Sequence, residues 1–261
     1  MHDQSDERQS SLRHAASTRL HFARFEFKYV LPRQARDEIE AELNYFMHLD
    51  PYVSPAADRS YMVRSLYFDD RVYSAFYDKI DGIHSRHKFR LRTYTDRPER
   101  SVPLFLEIKN RNDNLVTKHR VIVRHRVGNG HVEGDELVED VLSSAEDGPL
   151  RRQFEYELHR RRLRPVALID YRRRPYVSKF DPEFRLTFDD RLQCTSTDSL
   201  FPSLAATSRQ GLPGYTIMEV KFRFHLPSWF HRIIQSYELS RTSISKICRG
   251  LDVLELAPNL S

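Results

Sequence analysis

HKFRLRTY, residues 87–94, is the stretch on which the fold turns. Lys88, Arg90, Arg92 and Tyr94 alternate with Phe89, Leu91 and Thr93, the period of two of a strand with unlike faces. The charged face is wholly cationic. It either meets water or lines the inside of something, and periodicity alone does not separate the two.

Three other stretches bear on that choice: Glu26-Phe27-Lys28, Glu107-Ile108-Lys109 and Glu219-Val220-Lys221. In each, an acid and a base share one strand face and the apolar residue between them takes the other. If the apolar residues pack under helices, all three pairs point away from those helices. The same phase places Lys88, Arg90 and Arg92 there, and Arg185 of FRLTF joins them when Phe184 and Leu186 face the helices. One such pair is commonly the wet face of an open sheet. Recurrence in a single phase favours an enclosed lining. Unpaired buried cations are costly, and three glutamates do not balance Lys28, Arg90, Arg92, Lys109, Lys118, Arg173, Arg185 and Lys221. The surplus calls for an anionic ligand. Arginine forks and lysine point charges suit a string of phosphates, and carboxylates with phosphate oxygens are the usual holders of Mg²⁺ or Mn²⁺. The constellation points to a metal-assisted polyanion site.

Outward from these strands, residues 1–20 are polar and free of aromatics, which predicts a disordered lead. A single domain is expected over 21–255, with 256–261 as a tail. FEFKYVL begins the strands, Pro32 opens a helix carrying Ala35, Ile39, Leu43 and Phe46 on one face, SYMVRSLYFDD is a strand, and RVYSAFYDKIDG is a short helix ended by Gly82. Strands are expected at 86–95, about 102–110 and about 115–127, with RNDN at 111–114 as a turn and GNG at 128–130 as the stop. Two helices, three strands and a closing helical segment complete the chain. About eight strands without βαβ alternation predict an α+β fold: an eight-stranded antiparallel barrel, closed, with helices on its outside.

Composition narrows the function. The 261 residues hold 42 Lys and Arg against 37 Asp and Glu, a net charge of +5 that suits an anionic partner. Cys194 and Cys248 form no CxxC and fit a reducing, cytoplasmic setting. No apolar run is long enough for a membrane span. GxSxG, the Walker GxxxxGK[ST] pattern and HExxH are all missing. RHRV and HRRRLR resemble nucleic-acid patches only superficially, and the aromatics are expected opposite the cations, so no specific nucleic-acid partner is expected.

With these residues in view, the sequence resembles the VTC domain, the catalytic domain of polyphosphate polymerases, within the triphosphate tunnel (CYTH-like) metalloenzymes. The resemblance is carried from Arg24 to Leu251 by FEFKYVL, SLYFDD, KFRLRTY, EIKN, TKHRV, YRRRPYV, FRLTFDD, MEVKF and SISKICRG, in that order. It implies a basic tunnel holding polyphosphate and the triphosphate of ATP. Arg90, Arg92, Lys109 and Glu219 are the implied catalytic residues. Lys28, Lys118, Arg173, Arg185, Lys221, Ser245 and Lys246 are the implied phosphate-binding ones. Glu219 is the implied ligand of Mg²⁺ or Mn²⁺, with Glu26 and Glu107 as further candidates. In YRRRP, Arg172 or Arg174 replaces Arg173 if the register slips by one. Lys88 shares the face without a family counterpart. The hydrolytic branch opens with ExExK, whereas Arg24 stands at the first position here, which favours the polymerase branch. The implied activity is transfer of the γ-phosphate of ATP to a growing polyphosphate chain, and a membrane-protein partner is compatible with it. A tunnel triphosphatase and a non-catalytic polyphosphate- or RNA-binding module stay open as alternatives.

Overall fold

The structure, a computed structural model, describes residues 25–51, 53, 58–98, 103–112, 115–124 and 134–257. The expected lead at 1–20, the GNG stop and residues 258–261 of the tail lie outside them.

Ten strands make one mostly antiparallel sheet. They are β1 Phe25–Pro32, β2 Met47–Leu49, β3 Tyr61–Asp69, β4 Ser85–Thr93, β5 Leu104–Asn112, β6 Leu115–Val123, β7 Arg164–Ser178, β8 Arg185–Thr195, β9 Ser208–Gln210 and β10 Tyr215–Phe222. Eight run in the order β1-β10-β8-β7-β3-β4-β5-β6, and the short β2 and β9 pair with β7 and β8. The two short strands gave no alternation long enough to read in the sequence. The helices are α1 Arg33–Leu43, α2 Ser74–Ile80, α3 Gly134–Ser144, α4 Pro149–Arg161, α5 Ser228–Ser236 and α6 Lys246–Val253. Pro32 caps α1 from the end of β1 rather than opening its first turn, and Gly82, at φ +71°, turns the chain after α2.

Strand alternation divides the sheet between two environments. On the outer face, Leu66, Phe89, Leu91, Leu106 and Ile108 pack under Leu137, Val141 and Phe154 of α3 and α4. Further round, Leu31, Leu186, Phe188, Met218 and Val220 pack under Ile39, Leu43, Trp229, Phe230 and Ile233 of α1 and α5. The other face is concave. Six strand steps separate β1 from β5, which on a flat sheet is roughly 29 Å; yet Lys109 Nζ of β5 lies 3.2 Å from Glu26 Oε1 of β1.

Two features correct the expected closed barrel with all its helices outside. The pairing path ends at β1 and β6, which are not hydrogen-bonded to each other among the described residues, so side chains rather than a ladder bridge the seam. And α6 packs on the concave face: Ile247, Cys248 and Leu251 lie against Val63, Tyr67, Ile169, Cys194 and Ile217. A Cβ at Gly250 would come within 2.4 Å of Ile169 Cδ1, so the helix approaches as near as a residue without a side chain permits. The interior of an eight-stranded barrel has room for its own side chains or one small ligand. A helix seated there needs a wider, unclosed sheet.

A bulge sets where the lining changes character. Arg191, at φ +53°, is the extra residue of β8, whose partners shift from Arg172↔Asp190 to Asp170↔Gln193. Before it Arg185, Thr187 and Asp189 face inward; after it Leu192 and Cys194 do, against α6. The concave face is therefore charged on one side of the bulge and apolar on the other.

Candidate functional site

The three acid-base pairs read from the sequence lie on this concave face, and cross-strand register brings them together. Glu26 is opposite Lys221 and Lys28 opposite Glu219; Arg90 is opposite Glu107, and Lys109 lies between Lys88 and Lys118. Each carboxylate gathers several cations. Glu107, with a side chain only 1% exposed, receives Arg90 at 2.8 Å, Arg92 at 3.6 Å and Lys118 at 2.6 Å. Glu26 receives Lys28 at 3.1 Å and Lys109 at 3.2 Å. Glu219 receives Lys221 at 2.7 Å and Lys28 at 3.8 Å.

The fourth carboxylate, Asp189, was missed in the sequence. Arg173 grips it through Nε at 2.7 Å and Nη2 at 2.8 Å, and Lys246 Nζ reaches it at 2.6 Å from the first turn of α6. Its signal was present, because Arg185, Thr187 and Asp189 continue one period-two face of FRLTFDD. The register places Arg173 inward, whereas Arg174 pairs with Glu40 of α1 at 2.8 Å on the outer side and Arg172 is exposed. Arg185 is opposite Lys221 at the exposed rim and forms no ion pair among the described residues. Ser245 is the N-cap of α6, its hydroxyl accepting from Cys248 N–H, which orients the turn that carries Lys246.

Tyr67 and Tyr171 correct the expectation that the aromatics lie opposite the cations. Arg90 donates to Tyr67 Oη at 2.8 Å and Arg92 to Tyr171 Oη at 3.4 Å, while Arg173 and Lys246 lie over the Tyr171 ring at 5.3 and 4.8 Å. Tyr67 is opposite Arg90 on the neighbouring β3, and Tyr171 lies one strand further, on β7.

In all, nine cations (Lys28, Arg90, Arg92, Lys109, Lys118, Arg173, Arg185, Lys221, Lys246) face four carboxylates. The ionisation of the site reflects that surplus. Burial raises the Glu107 carboxyl, but Arg90, Arg92 and Lys118 outweigh it and bring the pKa to about 2. Burial and the Glu219 charge raise Glu26, and Lys109, Lys28 and Lys221 bring it to about 2. Burial opposes ionisation of Tyr67 too, yet Arg90 and Arg92 pull that phenol below its ordinary value. Burial and the neighbouring Arg90 and Arg92 lower Lys118 to about 8 despite Glu107. The bases divide: burial lowers Lys109 and Lys118, whereas, against burial, Glu219 and Glu26 raise Lys28, Tyr67 and Glu107 raise Arg90, and Asp189 raises Arg173, so each carboxylate holds its nearest cations charged.

Glu26 and Glu219 also answer whether a divalent ion fits. The Lys28 ammonium lies between them, 3.1 Å from one and 3.8 Å from the other, so two carboxylates already converge on one positive centre. Among the described residues no group of three or more His, Cys, Asp or Glu could hold a metal by itself. Two carboxylates suit Mg²⁺ or Mn²⁺ when phosphate oxygens and water complete the shell.

Comparison with known proteins agrees with the order of motifs. The family model described as the VTC domain matches residues 23–255. No curated protein matches the chain significantly. Among solved structures, a candidate adenylate cyclase from Bacillus halodurans aligns with a TM-score of 0.48 at 9% identity, over 85% of this chain and 94% of that one. The PH1819 protein from Pyrococcus horikoshii OT3 aligns with a TM-score of 0.42 at 11% identity, over 89% and 98%. No described helix is long and apolar enough to cross a membrane.

Proposed function

Because the chain belongs to the VTC domain family, we propose that it is a phosphotransferase that moves the γ-phosphate of ATP onto the end of an inorganic polyphosphate chain. The observation that carries this reading is the surplus of cations on a concave face, where each carboxylate balances two or three of them. An anion entering the site replaces carboxylates as the partner of cations that are already positioned, so little reorganisation is needed.

In the transfer, a terminal oxygen of the acceptor phosphate attacks the γ-phosphorus, the bond to the β–γ bridging oxygen breaks, and ADP leaves with that electron pair. Such a transition state asks for alignment and charge neutralisation rather than a protein nucleophile. Arg90 and Arg92, buttressed by Tyr67, Ser65 and Tyr171, and Lys109 hold the transferring group. Arg173, Lys246, Lys28, Lys118, Lys221 and Arg185 hold the flanking phosphates, and Ser245 keeps the first turn of α6 in place. Glu219 and Glu26 would hold Mg²⁺ or Mn²⁺, which supplies further neutralisation of phosphate oxygens.

Hydrolysis is the second reading, because the same cations and carboxylates would hold a triphosphate for attack by water instead of by an acceptor phosphate. A nucleic-acid module fits less well, because Tyr67 and Tyr171 are buried, at 7% and 4% exposure, and offer no face for base stacking. Incubation with ATP and Mn²⁺ separates the first two: polymer with ADP supports transfer, and ADP with free phosphate alone refutes it. Glu219→Gln is expected to abolish synthesis, and synthesis that survives removes Glu219 from the metal site.

A further inference from the structure

Beside the charged centre, the concave face carries apolar groups that the phosphate reading does not use. Two residues before Glu107 on β5, Phe105 stands opposite Arg92 of β4 and Ile122 of β6. Tyr94, just past the end of β4, meets the Phe105 ring edge-on at a centroid distance of 6.3 Å, and Tyr61 of β3 lies 5.8 Å from Tyr94. Tyr61 and Tyr94 lean on the apolar cluster around α6, whereas Phe105 and Ile122 belong to none of the apolar clusters of the fold. Phe105 is half-buried and Ile122 is 45% exposed. A part-wet apolar group set into a charged lining adds little to the stability of the sheet, and contiguous groups of this kind mark a surface that meets a ligand.

Arg120 gives the chemistry of that ligand. It stands opposite Glu107 in the β5–β6 register, the nearest partner for its charge. Glu107 instead receives Lys118, and the exposed Arg120 lies over the Phe105 ring, its guanidinium carbon 4.8 Å from the centroid. Among the described residues it forms no ion pair. A guanidinium laid over a phenyl ring turns its second flat face outward, and a flat heteroaromatic is what stacks on such a face. Two residues along a strand span roughly 7 Å, so a molecule whose phosphates lie among Arg90, Arg92 and Lys118 can lay its other end on Arg120 and Phe105. A bare phosphate chain has nothing to place there.

We propose that Arg120 and Phe105, with Tyr94 bracing Phe105 from the side, form a stacking shelf for the base of a nucleoside triphosphate, so that the site selects a nucleotide over a bare triphosphate as phosphate donor. The shelf rests on the triphosphate reading of the centre and deepens it by assigning the other end of the donor. One guanidinium over one ring holds a single base, which does not make this face a groove for a nucleic-acid strand.

The test is equilibrium binding, without metal so that no phosphate is transferred, of ATP and of methyl triphosphate, which carries the same charge and no nucleoside. Wild type is expected to bind ATP about tenfold more tightly, the gain from one base stacked on an aromatic or guanidinium plane. Arg120→Lys keeps the charge and removes the plane, and Phe105→Leu keeps an apolar side chain and removes the ring. In each, the ATP advantage is expected to shrink to about threefold or less while methyl triphosphate binds as in wild type. Arg120 is exposed, so its replacement decides the matter even where Phe105→Leu fails to fold. Equal binding of ATP and methyl triphosphate by wild type, or an ATP advantage that survives Arg120→Lys undiminished, overturns the shelf and leaves the transferase proposal standing. A protein that shows the expected advantage but makes no polymer with ATP and Mn²⁺ refutes the transferase proposal and leaves the shelf. A wild type that binds neither ligand refutes both.

Discussion

Asp189→Asn tests the electrostatic logic of the site most sharply, because stability and affinity are expected to move in opposite directions. The Asp189 side chain is 1% exposed and holds two cations, Arg173 through two hydrogen bonds of 2.7 and 2.8 Å and Lys246 at 2.6 Å. Burial disfavours its charge, but Arg173 and Lys246 keep its pKa below the ordinary value, so it is ionised at neutral pH. Removing one partner of a buried ion pair costs roughly 3–5 kcal/mol. Asparagine keeps one acceptor oxygen, which places the loss near 3 kcal/mol, or roughly 6–12 °C in Tm for a domain of this size. The same substitution removes a negative charge that competes with phosphate for Arg173 and Lys246. Coulomb interaction at a few ångströms and an intermediate dielectric is about 1.4 kcal/mol or more, so tripolyphosphate should bind the variant about tenfold more tightly. Thermal unfolding with and without tripolyphosphate, together with calorimetric titration, reads both quantities. An unchanged Tm, or an affinity that falls along with stability, would refute the view that Asp189 stands in for ligand phosphate.

Two further expectations concern neighbouring parts of the site. Gly250→Ala places a methyl within 2.4 Å of Ile169 Cδ1 and 3.4 Å of Cys194 Sγ; overpacking of this kind costs about 1–3 kcal/mol. Because Lys246 rides on the same helix, denaturant unfolding should show the loss and titration should show weaker tripolyphosphate binding. Lys118 has a pKa lowered by burial to about 8, so tripolyphosphate affinity should decline as pH rises through 8, where the folded protein loses that charge. For stability the sign is opposite: the unfolded lysine keeps its proton to higher pH, so this residue's unfavourable contribution diminishes between pH 8 and 10.5. Lys118→Arg should hold affinity level across that range in titrations at stepped pH.

Positions that depend on local alternation were legible in the sequence. Lys28, Arg90, Arg92, Lys109, Glu107, Glu219 and Lys221 occupy positions of one strand phase, and that phase survives folding because reversing it would bury charge beneath helices and expose Phe89, Leu91 and Val220. The strand order and the route by which β5 reaches β1 were not legible, since pairing across six strands has no local signature. Asp189 escaped notice for a related reason. Its acidic neighbour Asp190 turns to the outer side, where Arg36 reaches it at 3.1 Å, and the bulge at Arg191 then reverses the phase.

The sequence by itself determined that strands with one cationic face would form, because alternation and apolar burial act within a few residues. Only the tertiary structure decided that β1 and β6 end the pairing path among the described residues, that α6 lies inside the sheet's curve, and that Lys246, Arg173 and Asp189 meet. Those outcomes depend on how much volume a helix takes from a concave face and on how far lysine and glutamate reach across a seam. Both are distances in space between residues remote in the chain.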